Sequence, residues 1–275
     1  MMRLACLSLI SFGLLTSQAH AALIINVNYS GDPQYQSDFN SAAATWQSLL
    51  IGYQNGLVVN RTAGSSYSIG QTVSNVFIDA AVSLIDGAGG TLGSAGPDQI
   101  VLDAASFYLT TDGAMQFDSA DWASLTPQER QAVILHEMAH VLGFGTLWNL
   151  NGVYTNGSGE YTGIFATQAW QSEFGQSGTP DVELGGGTGT ANAHWNEVDN
   201  GAGTTGITDS QNRDMRDELM TGWLNSSIFI SNMTIASFRD IGFTPVTTVS
   251  NPEPGTSALL GLGLVALGVA KRRRL

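Results

Sequence analysis

"HEMAHVLGFGTLW", His136 to Trp148, is the stretch that decides how this 275-residue chain is read. On a helix His136 and His140 lie one turn apart on one face, so their imidazoles can converge on a single metal ion, with Glu137 in reach of a water on it. A metal site that keeps one position open for water still needs a third protein ligand. In the commonest form of the pattern His-Glu-x-x-His-x-x-Gly that ligand is a histidine at 146, but here the residue is Thr146. Either the site is incomplete or its last ligand arrives from elsewhere in the chain.

The residues before and after the motif specify the helix that carries it. Thr126, Pro127 and Glu129 make a T-P-x-E start, in which Thr126 caps free amides, Pro127 fits the first turn and Glu129 reaches back as a capping box. Apolar residues Ala132 to Leu135, Met138, Ala139, Val141 and Leu142 follow, and Gly143 offers a left-handed stop. A helix this apolar is buried on most sides. Its histidines and glutamate therefore need partners, since an unpaired buried polar group costs roughly a few kcal/mol.

Upstream, "ALIINVNYSGD" (22–32) alternates Ile25, Val27 and Tyr29 with Asn26 and Asn28, the period of a half-buried strand that ends at a turn. "DFNSAAATWQSLLIGY" (38–53) spaces Phe39, Ala42, Ala43, Trp46, Leu49, Leu50 and Tyr53 as one helical face. Further strands are expected over 74–82 and 98–110, separated by the turn-rich "DGAGGTLGSAGP" (86–97). Downstream, from Asn149 to about Gly206, periodicity dissolves into a loop-rich insertion with scattered aromatic anchors, and long insertions of this kind are usually functional. Order returns at "RDELMTGW" (216–223) and at a short helical face, Ile235, Phe238 and Ile241, that stops at Gly242. The fold class is α+β: an N-terminal twisted mixed sheet with a long site-bearing helix, then a loop-rich C-terminal part ending in a short helix.

Both ends are set apart from that body. Residues 1–21 combine Arg3, an apolar run from Leu4 to Leu15 and an A-x-A ending at Ala21, which predicts a secretory signal peptide. The single cysteine, Cys6, lies inside it, so no disulfide is available to the exported chain. The body spans 22–245, with a subdomain division near 143–148, and 246–254 is a linker containing Pro252, Glu253 and Pro254. Residues 255–275 hold an apolar stretch and the basic cluster Lys271 to Arg274. The apolar stretch, 255–270, is shorter than the roughly 20 residues of a usual spanning helix, and terminal basic side chains can snorkel. In all three parts this tail resembles the bacterial PEP-CTERM sorting signal. That resemblance implies a transient transmembrane anchor, cleavage by an exosortase-type enzyme, and delivery to the cell envelope, the cell surface or the medium.

Five of the ten basic residues and one of the 23 acidic residues belong to those ends, leaving residues 22–250 a formal balance of −17. A body so acidic repels phosphate backbones and anionic lipid, which argues against nucleic-acid and membrane-surface roles. Its carboxylates also raise Ca2+ binding: "DGAMQFDSAD", Asp112 to Asp121, is weighed as a calcium cluster against the plainer case of a solvated one.

Of four histidines, His20 leaves with the signal peptide, so His136, His140 and His194 remain. His194 is thus the candidate third ligand, against the alternative of a hydrogen-bonded loop histidine. A glutamate ligand from a downstream E-x-x-x-D is disfavoured, because none of Glu160, Glu173, Glu183, Glu197 and Glu218 has an aspartate four residues later.

Taken in order, "HEMAHVLGFGTLW", "YTGIFATQAW" (161–170), "AHWNE" (193–197), "DELMTGW" (217–223) and "MTIASFRDIGF" (233–243) resemble the leishmanolysin family of metzincin zinc metalloproteases. The resemblance implies a metzincin-like fold and an insertion that postpones the third histidine to His194. It further implies one catalytic Zn2+ held by His136, His140 and His194, Glu137 as general base, Gly143 at the sharp turn after the helix, and Met220 in a turn beneath the metal. "DGAGGTLGSAGP" resembles the bulged edge strand of matrixins without their structural-metal histidine. The function so implied is that of an exported endopeptidase acting on protein or peptide substrates. Tyr154 and Tyr161 are oxyanion candidates by their place in the insertion. A non-catalytic surface or matrix protein with a structural zinc is the alternative, and a glycan hydrolase lacks a recognisable carboxylate pair.

Overall fold

The computed structural model describes residues 22–63 and 67–246. The expected signal peptide, most of the linker and the whole apolar tail lie outside the described residues. No helix among those described is long and apolar enough to cross a membrane.

The elements in chain order are β1 (Ile24–Tyr29), α1 (Gln36–Leu49), β2 (Leu50–Tyr53), β3 (Val59–Ala63), β4 (Asn75–Ser83), β5 (Gly93–Asp103), β6 (Tyr108–Asp118), α2 (Ser119–Trp122), α3 (Pro127–Leu142), α4 (Ile164–Phe174), α5 (Asn232–Asp240) and β7 (Phe243–Pro245). Five strands form one mixed sheet in the order β1-β4-β6-β5-β3. In it β1, β4 and β6 run parallel, while β5 is antiparallel to β6 and to β3. The fold is therefore α+β with a mixed sheet, as the element pattern predicts.

Period-two patterning sets which face of the sheet is covered. Along β4, Val76, Ile78 and Ala80 turn into the core, whereas Phe77 and Asp79 face outward. The inner face receives α1 and α3. These two helices are fastened by Trp46, a fully buried residue of α1 whose indole N–H donates to the Leu135 carbonyl of α3 at 3.0 Å. Burying an aromatic of this size contributes on the order of 3 kcal/mol, so the join is both apolar and directional. At the far end of the chain α5 leads into β7, which pairs antiparallel with β2 and draws the C-terminal part back onto the end of α1.

Three local expectations change. The helix foreseen over 38–53 stops at Leu49, because Leu50–Tyr53 pairs with β7, a partner nearly 200 residues away that no local pattern reveals. The strand foreseen over 98–110 is two strands joined at 104–107, where the Asp103 carboxylate accepts the amides of Ala105 and Phe107 and Ser106 adopts φ 74°. The insertion is not wholly irregular, since α4 lies within it and packs on α5.

Candidate metal centre

The start of α3 is as its residues specify. Thr126 Oγ1 accepts the Glu129 amide at 3.2 Å, and Glu129 Oε2 accepts the Thr126 amide at 2.7 Å. The helix ends at Gly143 with φ 113°, a conformation a side chain rarely permits. Three residues on, Thr146 donates its hydroxyl to the His140 carbonyl at 2.7 Å. The residue that occupies the usual third-ligand position thus closes the end of the helix.

The third imidazole is that of His194. Its Nε2 lies 2.9 Å from His136 Nε2 and 3.0 Å from His140 Nε2, and the latter two are 3.0 Å apart. Among the described residues this is the one group of three or more His, Cys, Asp or Glu ligand atoms that converge so closely. Asp112, Asp118 and Asp121 form no such group. Asp118 instead accepts the amides of Ile85, Asp86, Gly87 and Ala120, which hold its carboxyl down at about 2, and Asp121 accepts that of Gly89.

The opposite ring nitrogens determine what the three Nε2 atoms are. His136 Nδ1 lies 2.7 Å from the Leu219 carbonyl, His140 Nδ1 2.9 Å from that of Phe144, and His194 Nδ1 2.8 Å from that of Thr190. A carbonyl only accepts, so each Nδ1 bears the proton and each neutral ring presents a bare lone pair at Nε2. Burial keeps the rings neutral by pushing His136 down to about 4, His194 down to about 3 and His140 well below its usual range; for His140 and His194 a neighbouring imidazole adds to the effect. Three lone pairs facing one another with no proton between them repel, and a shared cation turns that repulsion into ligation.

His194 reaches this point through its neighbours. The Glu183 amide donates to the His194 carbonyl at 2.9 Å and the Asn192 amide to the Glu183 carbonyl at 2.7 Å, folding 183–194 into a hairpin-like arm. Trp195, fully buried, anchors the arm: its amide donates to the Met220 carbonyl at 3.0 Å and its indole N–H to Thr234 Oγ1 at 2.8 Å. Its ring packs on Phe144 and Trp148 at centroid distances of 5.2 and 5.0 Å. Met220 is also fully buried and lies in the turn whose preceding carbonyl, that of Leu219, orients His136.

Glu137 is 6% exposed and receives no hydrogen bond among the described residues. Burial pushes its carboxyl up to about 8. It lies against β5 at Gly93, where a β-carbon would stand 2.7 Å from Glu137 Oε1. The two tyrosines of the insertion are committed elsewhere. Tyr154 donates to Asn192 Oδ1 at 2.6 Å, and Tyr161, fully buried, donates to Asp240 Oδ2 at 3.2 Å, so neither phenol is free to serve as an oxyanion donor.

The structure therefore brings together His136, His140 and His194, keeps Glu137 buried beside His136 on α3, and places Gly143 and Met220 at turns. Sequence reasoning misses Gly93 and Trp195, whose roles come from close approach and anchoring between distant segments. The position of Trp195 next to a candidate ligand was its only signal.

The family model for the PEP-CTERM protein-sorting motif matches residues 252–274. A signal of this kind marks a bacterial chain for export and sorting to the cell envelope or surface, and implies recognition by an exosortase-type processing enzyme. No curated protein matches the chain.

Proposed function

We propose that this chain is an exported zinc endopeptidase, built on the metzincin-like plan its sequence resembles. One observation carries the proposal: three buried imidazoles with their Nδ1 protons committed to carbonyls direct three Nε2 lone pairs at one point, and the residue that follows His136 on the helix bears a buried carboxylate to which no described residue donates. Neutral imidazoles are good ligands for Zn2+, and three of them leave a position open. When bound, the ion supplies Lewis acidity, drawing the pKa of water toward about 7 and polarising a carbonyl.

The chain's own residues do the rest. His136 and His140 hold their ligand atoms from a rigid helix, and His194 closes on them from the loop arm. Burial raises the Glu137 carboxyl in the metal-free chain, but the charge of a bound cation would favour its ionised form, and so ionised it would take the proton of the attacking water and pass it to the leaving amine. Substrate has a natural track along β5, whose residues 93–97 pair with β6 on one side, while among the described residues β3 joins the other side only from Ile100 onward. An extended peptide can add to that free edge next to Glu137 by backbone hydrogen bonds. A purely structural zinc site has no use for an unpartnered buried carboxylate at this position, which favours an enzyme over a non-catalytic surface protein.

The direct test is cleavage of casein and of a quenched peptide library by the secreted form, with metal content measured in parallel. Cleavage that stops with chelator and returns with Zn2+ is expected; a protein that binds zinc stoichiometrically and cleaves neither substrate would overturn the proposal. A finer expectation concerns Gly93. Gly93→Ala forces Glu137 to shift, and misplacement by about 1 Å can cost on the order of 10²-fold in rate. The variant should lose cleavage on that scale while retaining its metal, and unchanged turnover would show that Glu137 does not act from this position.

A further inference from the structure

We propose that Glu218 is a positioning residue for the metal centre, a single buried carboxylate that sets the orientation of both His136 and His194. This rests on the metal-centre reading given above and goes beyond it by linking two of the three ligand segments to one charge. Glu218 is fully buried. Its Oε2 accepts the Met220 amide at 2.6 Å, and its Oε1 accepts the Ser231 amide at 3.0 Å, the Ser231 hydroxyl at 2.8 Å and the Thr234 hydroxyl at 2.6 Å.

The proton directions follow from the neighbours. Ser231 Oγ accepts the Thr234 amide at 3.0 Å and Thr234 Oγ1 accepts the Trp195 indole N–H at 2.8 Å, so both hydroxyl protons are free to point at Glu218. Four donors converge on one side chain, and an ionised carboxylate is the group with acceptors enough for all of them. Packing alone would not call for a charge in this place.

The contacts close into a ring. From Glu218 it passes to the Met220 amide, from the Met220 carbonyl to the Trp195 amide at 3.0 Å, from the Trp195 indole to Thr234 Oγ1, and from Thr234 back to Glu218. Two of its corners adjoin ligand machinery. Leu219, between Glu218 and Met220, presents the carbonyl that accepts the His136 Nδ1–H, and Trp195 follows His194 directly in the chain. Outer partners of this kind fix ring orientation and raise ligand basicity.

Glu218→Gln tests the charge with little change of shape. Whichever way the amide turns, its NH2 faces a donor; with the oxygen kept toward Ser231 and Thr234, it faces the Met220 N–H and opens the ring there. Thr234→Val removes the hydroxyl that accepts from the Trp195 indole and donates to Glu218, opening the ring at both of those contacts, and leaves the Met220 contact intact. The measurements are Zn2+ affinity by chelator competition and the visible absorption of the Co2+-substituted protein, on samples whose far-UV circular dichroism matches wild type. Glu218→Gln should lose about 10–100-fold in Zn2+ affinity and shift the Co2+ bands. Glu218→Asp, which keeps the charge, should recover part of the loss, and Thr234→Val should show a smaller loss with a band shift of its own. A folded Glu218→Gln protein with wild-type affinity and wild-type Co2+ bands overturns the inference. Should that variant fail to fold, Thr234→Val with both properties unchanged overturns it equally. Wild-type protein that takes up neither Zn2+ nor Co2+ overturns the metal centre itself, which is a separate and recognisable result.

Discussion

Glu137→Gln should leave the metal in place and lower peptide cleavage by roughly 10²–10⁴-fold, the range that a positioned general base supplies. Glutamine has the shape to occupy the same space against Gly93, so the three imidazoles and the β5 edge are undisturbed; what it lacks is a site that can take up a proton. Rate constants on a quenched peptide and zinc content of the same sample decide the matter. Hydrolysis at the wild-type rate with stoichiometric zinc would remove Glu137 from the mechanism.

The same variant has a second signature in the chelated protein. Burial raises the Glu137 carboxyl to about 8, so between the ordinary glutamate range, near 4.3, and pH 8 the folded chain holds a proton that the unfolded chain has released. The stability linked to that proton is fully present below the ordinary range and is lost as the pH rises toward 8. Wild type should therefore lose stability relative to Glu137→Gln as the pH is raised from about 5 to 8. The imidazoles titrate in both proteins and drop out of the comparison. Parallel denaturation curves with no such divergence would show that Glu137 is not buried in the way its 6% exposure describes.

His194→Ala should abolish both metal retention and cleavage. Two imidazoles one turn apart on α3 remain, but a stable site of this kind needs a third protein ligand. The fall in zinc affinity should exceed the roughly 10–100-fold that follows loss of an outer partner. The fold should survive, because the arm is anchored by Trp195 through Met220 and Thr234, and none of those contacts involves the imidazole. Zinc binding at wild-type strength by His194→Ala would detach the loop from the centre and leave the helix pair to be explained otherwise.

These expectations differ in how far the sequence alone could have supplied them. The α3 helix was legible from end to end because its signals are local: the Thr126 and Glu129 box, an apolar run, and Gly143. His194 was legible by elimination among the histidines and by the resemblance of its segment to the family, not by spacing, as it stands 58 residues from His136. The α4 helix was signalled by Ile164, Phe165, Ala166, Ala169 and Trp170 between Gly163 and Gly175, but glycine-rich surroundings masked it. The turn at 104–107 contains no glycine or proline, since the Asp103 carboxylate supplies its hydrogen bonds, and so it read as continuous strand. Glu218 and Trp195 were hidden for a different reason. Apart from the local contact of Glu218 with Met220, their partners are brought to them from 13 to 39 residues away, and a buried network leaves no periodicity to read.

The indoles of Trp148 and Trp195 lie 5.0 Å apart and inclined by 33°, with the second joined directly to His194. At that separation the strong indole transitions couple, and a chiral pair of coupled transitions splits into circular-dichroism bands of opposite sign in the far ultraviolet. The sign and size of the couplet depend on how one ring is turned against the other. Motion of the arm that carries His194 is thereby converted into an optical signal intrinsic to the chain, and docking of that arm can be followed in real time without a label.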